Sequence, residues 1–538
     1  MHHVFVHCGN WSRCALFALL LILTIVPSIR VEAQSDSPPN IVLFFVDDLG
    51  WSDVGCYGST FYDTPNIDAL AQDGVRFTDA YATCHVCSPS RASLLTGKYP
   101  ARLDMTDWIP GRGEFPFQRF LNAEINKWLP QEEVTLAETL KGHGYSTAIL
   151  GKWHLGEDPN GPLSQGFDVH IPKTWNKGWP KAGYHAPFKF DDLEDSKGDY
   201  LTDRLANEAL AYIESNKDRP FFLYLSHFSV HDPIQGRKGL VKKYERKLRK
   251  LNRRSSNDDA PYILEGNPDG DSSYSTEELN SLIEDPDYEE YKVLPNRFVK
   301  IKQRQDNVQF AAMVESVDES LGRVRAKLDE LDIADNTIVI FFSDNGGMSG
   351  ANLGNPNRVV RPERLDVAFS TSNLPLRGAK GWLYEGGIRV PLIVRWPGRS
   401  KPGTESAVPV IGTDIYPSIL EMAGLPMKPN QHIDGVSIAP LLSGKKTLER
   451  EAIYWHFPHY SNHGMQSPGG AVRFGDYKLL EYFENNTIQL FNLRDDIGER
   501  NDLSREEPER AAKLLAKLQA WRQSVSAKMM PPNPDYIP

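Results

Sequence analysis

Four short apolar runs in this chain each break off on a cluster of acids, amides, lysines or histidines, and this pattern constrains the fold more than any other feature. Asn40–Val46 runs into Asp47-Asp48, and Ser146–Leu150 into Gly151-Lys152-Trp153-His154. Phe221–Leu225 leads to His227 and His231, and Thr337–Phe342 ends at Asp344-Asn345. A fifth run, Pro391–Trp396, lies further on. Helical patterns separate these segments. Thr64-Pro65 offers an N-cap and first-turn proline with Gly74 as the stop, and Thr135–Leu140, Thr202–Asn216 and Val308–Leu331 continue the alternation. Strands alternating with helices predict an α/β fold, a large mixed but mostly parallel sheet sandwiched by helices. Ligands in such sheets bind at the carboxyl ends of the strands, where all four clusters fall.

From Glu451 onward the pattern changes to short strand-like pieces, with a hairpin about Gly475-Asp476 and an amphipathic helix from Arg505 to Val525. This predicts a smaller C-terminal antiparallel sheet with a helix packed on it. The expected units are residues 34–430 for the large α/β domain and 431–538 for the α+β subdomain. A polar insertion over 236–295 is basic at Lys242–Lys250 and acidic from Asp258 to Tyr291. It reads as a solvated helix and loop with compensating charge, or as a rim that meets an anionic polymer.

At the N-terminus, Arg13, the apolar run Ala15–Val26 and the small-residue site Val31-Glu32-Ala33 read as a signal peptide over 1–33. The chain is then expected to be secreted or periplasmic. An uncleaved anchor is the other reading, although the run is short for a membrane span, and no second apolar stretch of spanning length follows. With 538 residues there is ample chain for a large core. A net charge of −11 argues against general nucleic-acid binding. Beyond the signal only Cys56, Cys84 and Cys87 remain, too sparse for a disulfide scaffold; Cys56 and Cys84 are a possible bridge or two buried thiols.

Asp47, Asp48, Asp344 and Asn345 form an all-oxygen set suited to a hard divalent cation. Ca²⁺ tolerates such an irregular group better than Mg²⁺ does. Cys87-Ser88-Pro89-Ser90-Arg91 opens a short helical pattern through Leu95-Thr96-Gly97. Cys87 is thereby placed at a helix N-terminus, which favours anions, and Arg91 lies one turn on.

These segments resemble the type I sulfatase family of the alkaline phosphatase superfamily. Cys87-Ser88-Pro89-Ser90-Arg91 with Leu95-Thr96-Gly97 matches the family's C-x-P-S-R…L-T-G signature, and Gly151-Lys152-Trp153-His154-Leu155-Gly156 matches its second. Asp47-Asp48-Leu49-Gly50, Ser343-Asp344-Asn345-Gly346 and Leu376-Arg377-Gly378-Ala379-Lys380 also fit. The resemblance implies that a separate maturation system oxidises Cys87 to formylglycine, whose hydrate attacks sulfur and then collapses to release sulfate. It implies one Ca²⁺ per chain on Asp47, Asp48, Asp344, Asn345 and the side chain at 87. Arg91 and Lys152 would stabilise the hydrated aldehyde, and His154 would be the base for collapse. His231 and Lys380 would bind sulfate oxygens and protonate the leaving oxygen. His227 competes with His231, which is favoured for its His-Asp-Pro setting.

The expected substrate is a sulfated small molecule or, by preference, a sulfated saccharide. Tyr454–Tyr460 with His463 and Arg473 is a candidate sugar-binding rim, or else a core strand with exposed aromatics. The segment Asn352–Asn373, with Asn357, Arg358, Arg361 and Asp366, is a second candidate wall. Two alternatives stand beside this reading: a formylglycine-dependent phosphonate or phosphate ester hydrolase, and a non-catalytic binder of sulfated glycans.

Overall fold

The computed structural model describes residues 37–536 except 115–117, 174, 176, 253–261, 267–298, 351–368 and 464–465. The signal at 1–33, most of the acidic half of the insertion, and Asn357, Arg358, Arg361 and Asp366 lie outside the described residues. Sixteen strands are described. In chain order they are β1 Asn40–Val46, β2 Val75–Phe77, β3 Ala80–Tyr81, β4 Ser146–Gly151, β5 Val169–Ile171, β6 Phe221–Ser226, β7 Tyr262–Glu265 and β8 Val299–Lys302. There follow β9 Thr337–Ser343, β10 Leu392–Arg395, β11 Thr404–Ser406, β12 Val410–Ile411, β13 Ile453–Phe457, β14 Gly469–Phe474, β15 Tyr477–Tyr482 and β16 Thr487–Asn492.

Eight of these form the main sheet in the order β11-β2-β10-β9-β1-β6-β4-β5. Its centre is parallel, and β10 runs antiparallel to both neighbours, so the sheet is mixed as expected. Continuous apolar runs suit these strands because both faces are covered. Val42, Phe44 and Val46 join one core with the helices Leu201–Asn216 and Val308–Glu330. Ile41, Leu43 and Phe45 face the other, with Ala92, Leu94, Leu136 and Ile419 from three further helices. Alternate residues of one strand therefore feed two apolar layers.

Register decides what the carboxyl edge presents. Val46 pairs with Ser343 of β9, Phe45 with Ser226 of β6, and Ser226 with Gly151 of β4. The residues just beyond these strand ends, far apart in sequence, are consequently neighbours. Gly151 sits at φ 111° and a Cβ there would fall 1.9 Å from the Ser226 carbonyl oxygen, so only glycine lets β4 close on β6 here. We predict that Gly151→Ala lowers stability by at least about 2 kcal/mol and weakens activity by displacing Lys152. A denaturation midpoint equal to the parent's would refute this.

The C-terminal sheet, order β13-β14-β15-β16, is antiparallel, with the turn at Gly475 in the left-handed region at φ 59°. The helix Pro508–Ser524 covers one face through Leu514 and Leu518. The other face packs Trp455, Ala471 and Leu480 against Tyr81, Trp382 and Tyr384. The basic stretch forms the helix Lys238–Asn252, and its Lys243 pairs with Asp63 and Glu315 while Lys247 pairs with Asp63. These lysines thus fasten the helix to the core. Among the described residues no helix is long and apolar enough to cross a membrane. Cys56 and Cys84 are unbridged.

Candidate active site

The helix Cys87–Thr96 begins on Cys87, with Val86 extended before it and Gly97 closing it in the left-handed region. Cys87 is buried, and its Sγ lies 3.2 Å from His154 Nδ1. His154 follows β4 and holds φ 60°, an uncommon conformation for a residue with a Cβ. Its Nε2 donates to the Ile109 carbonyl at 2.7 Å, which leaves Nδ1 as the bare nitrogen facing residue 87. Burial, helped by the Lys152 and Arg91 charges, drives the imidazole well below its ordinary range and keeps it neutral.

Asp47, Asp48, Asp344 and Asn345 meet at the ends of β1 and β9. The Asp48 amide donates to Asp344 Oδ1 at 3.1 Å, and Asn345 Nδ2 donates to Asp48 Oδ1 at 2.8 Å. Asp48 also sits at φ 62°. Left-handed backbone at two positions of one pocket stores on the order of 1–3 kcal/mol each, held in place by the sheet around it. Asp47 Oδ1 and Asn345 Oδ1 are buried without a hydrogen-bond partner among the described residues. Burial and the neighbouring Asp344 raise Asp47 well above the usual carboxylate range despite Lys152. Asp48 and Asp344 are also penalised by burial, but Lys380 and Arg91 respectively outweigh it and hold both below that range. Orphaned oxygens beside crowded carboxylates fit a hard divalent cation, which would satisfy the former and relieve the latter. Ligand atoms of Asp47, Asp48 and His231 lie within 4.8 Å of one another, as do those of Asp47, Cys87 and Asp344.

Three fixed cations face these acids. Arg91 donates through Nε and Nη2 to Asp344 Oδ2 at 3.0 and 2.7 Å, and through Nη1 to the Lys152 carbonyl and Ser226 Oγ. Lys152 Nζ donates to Asp47 at 2.6 Å, and Lys380 Nζ to Asp48 at 2.8 Å. Asp344, Asp47 and Asp48 are thus each matched to one of these cations. A bound divalent ion would make the pocket more positive, as an anionic ester requires.

The two histidines of the β6 end separate clearly. His227 donates or accepts at Ser320 Oγ at 3.0 Å and packs its ring on Phe44 in the core. His231 enters the pocket, with Nε2 3.8 Å from Asp48 and Nδ1 2.7 Å from Asp232. Burial and Lys380 oppose its protonation, yet Asp48, Asp232 and Asp47 prevail and raise it to about 9. All ten sequence-nominated residues therefore reach one pocket.

Other groups were not foreseen. Ser226 Oγ donates to the Lys152 carbonyl while accepting from Arg91, and the Ile109 carbonyl orients His154. The only sequence signal for Ser226 is its position as the hydroxyl residue ending β6, as Ser343 ends β9. The aromatic rim resolves in favour of a core strand. Trp455 is buried and donates to the Ala82 carbonyl, Tyr454 stacks on Trp521, and Arg473 pairs with Asp79. The following loop brings His463 beside Lys380, Asp48 and His231, while His459 lines a neighbouring cleft.

A buried thiol at a helix N-terminus, a cation-fitting acid cluster and fixed positive groups at the carboxyl edge of a parallel sheet suit the hydrolysis of an anionic ester. The sequence matches the Sulfatase family over residues 39–425, and N-sulphoglucosamine sulphohydrolase, C-terminal, over residues 379–525. The chain belongs to the sulfatase family and is a sulfuric ester hydrolase. It is 30% identical to a protein named Sulfatase from Formosa agariphila, with 95% of this chain and 93% of that one covered. It is 31% identical to human arylsulfatase A, over 82% and 74% of the two chains. N-acetylgalactosamine-6-O-sulfatase of Bacteroides thetaiotaomicron is 27% identical over 91% and 94%. Among solved structures, Ps i-CgsB in complex with k-i-k-neocarrahexaose has a TM-score of 0.65 at 27% identity, covering 90% of this chain and 93% of that one.

Proposed function

We propose that the protein hydrolyses a sulfate ester on a carbohydrate, with Cys87 matured to formylglycine and one Ca²⁺ bound by Asp47, Asp48, Asp344, Asn345 and residue 87. The supporting observation is the convergence of the residue 87 side chain with the Asp47 and Asp344 oxygens, all within 4.8 Å of one another. As its hydrate, formylglycine supplies one hydroxyl that attacks sulfur and a second whose deprotonation releases sulfate. Bound Ca²⁺ supplies charge that stabilises sulfuryl oxygens. His154, tied by Nε2 to Ile109, keeps Nδ1 free to take a proton at residue 87. Arg91 and Lys152 hold the anionic centre in place. Lys380 and protonated His231 bind sulfate oxygens and deliver a proton to the departing oxygen. Buried walls keep bulk water from competing.

Two observations favour a saccharide. A cleft of about 510 Å³ is lined by Asp107, Arg112, Asn122, Asn126, Lys127 and Trp128, the last half-exposed like an aromatic platform. Two of its lining residues, Asp107 and Pro110, flank the segment whose Ile109 carbonyl accepts from His154. The relative named N-acetylgalactosamine-6-O-sulfatase and the neighbour in complex with a neocarrahexaose point the same way.

Mass analysis of the peptide containing residue 87 from the native host tests the maturation: sulfur and two hydrogens should be exchanged for one oxygen. An intact thiol in the active enzyme would falsify it. Chelation is expected to lower kcat/KM at least about a hundredfold, with Ca²⁺ restoring it; activity indifferent to exhaustive metal removal would eliminate the four oxygen ligands. Comparing 4-nitrophenyl sulfate with 4-nitrophenyl phosphate separates this reading from a phosphate ester hydrolase. Export with loss of residues 1–33 belongs to the same proposal, and N-terminal sequencing of the protein outside the cytoplasm checks it.

A further inference from the structure

One wall of the pocket is built from residues with no part in the chemistry above. The Gly381 amide, next to Lys380, donates to the His85 carbonyl at 3.0 Å, two residues before the nucleophile. Gly381 holds φ 86°, and a Cβ there would lie 2.4 Å from both His463 Cβ and Ser461 Oγ. Glycine is thus what lets the loop after β13 close against the lysine segment. Arg112 Nη1 reaches the Ser461 carbonyl at 3.3 Å and holds this loop from the side of the cleft. His463 is delivered into the pocket in this way.

Its ring is only 5% exposed, and neither ring nitrogen has a hydrogen-bond partner among the described residues. The adjacent Asn462 Oδ1 is likewise buried without one. Buried polar atoms in this state are costly unless something meets them, and here the missing partner belongs on the substrate side. The charged groups that act on His463 are Lys380, Asp48, Asp232 and His231. Burial first, then Lys380, drive its imidazole well below the usual range, so the ring is neutral with one donor and one acceptor nitrogen. A hydroxyl also donates and accepts. A second sulfate or a carboxylate only accepts, and would leave the acceptor nitrogen facing an anion.

We propose that His463 is a specificity residue that hydrogen-bonds a hydroxyl next to the ester oxygen on the alcohol being desulfated. This rests on the sulfatase reading. His463 shares its surroundings with Lys380 and His231, the groups assigned to the sulfate and the leaving oxygen, so the hydroxyl it reaches lies beside the scissile bond. The C-terminal subdomain thereby reads the alcohol, while the main sheet handles the sulfate.

Catechol monosulfate and phenyl sulfate test this, because they differ only by a hydroxyl beside the ester. His463→Ala is expected to reduce kcat/KM for catechol monosulfate at least about tenfold more than for phenyl sulfate, since the site loses its partner for the hydroxyl. His463→Gln, which retains a donor and an acceptor, should recover part of the difference. Equal losses on both esters would assign His463 to the sulfate or to the fold, and no loss on either would remove it from the site; both overturn the proposal. A parent enzyme that cleaves neither these esters nor any saccharide sulfate would instead sink the sulfatase reading itself.

Discussion

Replacing Cys87 with alanine is expected to lower kcat/KM by about 10⁴-fold or more while leaving the protein folded. The magnitude follows from removing the proposed nucleophile while its partners remain in place, since binding groups alone retain only a small part of the rate enhancement. The buried thiol contributes modest packing, and its loss leaves a space smaller than most core truncations do. The stability cost should be about 1 kcal/mol, a shift of a few degrees at most in a protein of this size. Kinetics with an aryl sulfate and a thermal scan on the same preparation provide both readouts. Retained turnover would remove residue 87 from the chemistry, and a protein that no longer folds would make the thiol structural.

Asp344→Ala should damage both activity and stability. Asp344 accepts from Arg91 at 3.0 and 2.7 Å and from the Asp48 amide at 3.1 Å, all fully buried. Removing it strands a guanidinium in the interior, where breaking one side of a buried pair costs about 3–5 kcal/mol. Activity should fall at least about a hundredfold, because the proposed cation site would lose a ligand and Arg91 its orientation. Asp344→Asn preserves shape and can still accept from Arg91, so it should recover much of the stability and little of the activity. If both variants match the parent in denaturation midpoint, the Arg91–Asp344 pair does not hold the pocket together.

Much of this architecture was legible without coordinates. The strands β1, β4, β6, β9 and β10 appear as unbroken apolar runs, and each ends within a residue or two of the predicted point. That legibility has a local cause: a strand buried on both faces must be apolar at consecutive positions, and polar residues mark where it leaves the core. The acids after β1 and β9, the lysine and histidine after β4, and the thiol opening its helix are visible for the same reason. The small sheet and its helix also follow from a change in periodicity, with the helix beginning at Pro508 rather than Arg505.

What the sequence could not decide were the questions of which side chain turns which way. His227 and His231 follow the same strand, but one bonds Ser320 in the core while the other faces Asp48. Tyr454, Trp455 and Arg473 look like a sugar rim in the sequence and prove to be packing, because their partners Trp521, Ala82 and Asp79 lie far along the chain. Ser226, the Ile109 carbonyl and His463 acquire their positions only through such distant contacts. Local patterning therefore determined the elements and the chemical types at their ends. Tertiary packing alone decided the partners, since a buried polar group is oriented by whatever long-range hydrogen bond satisfies it.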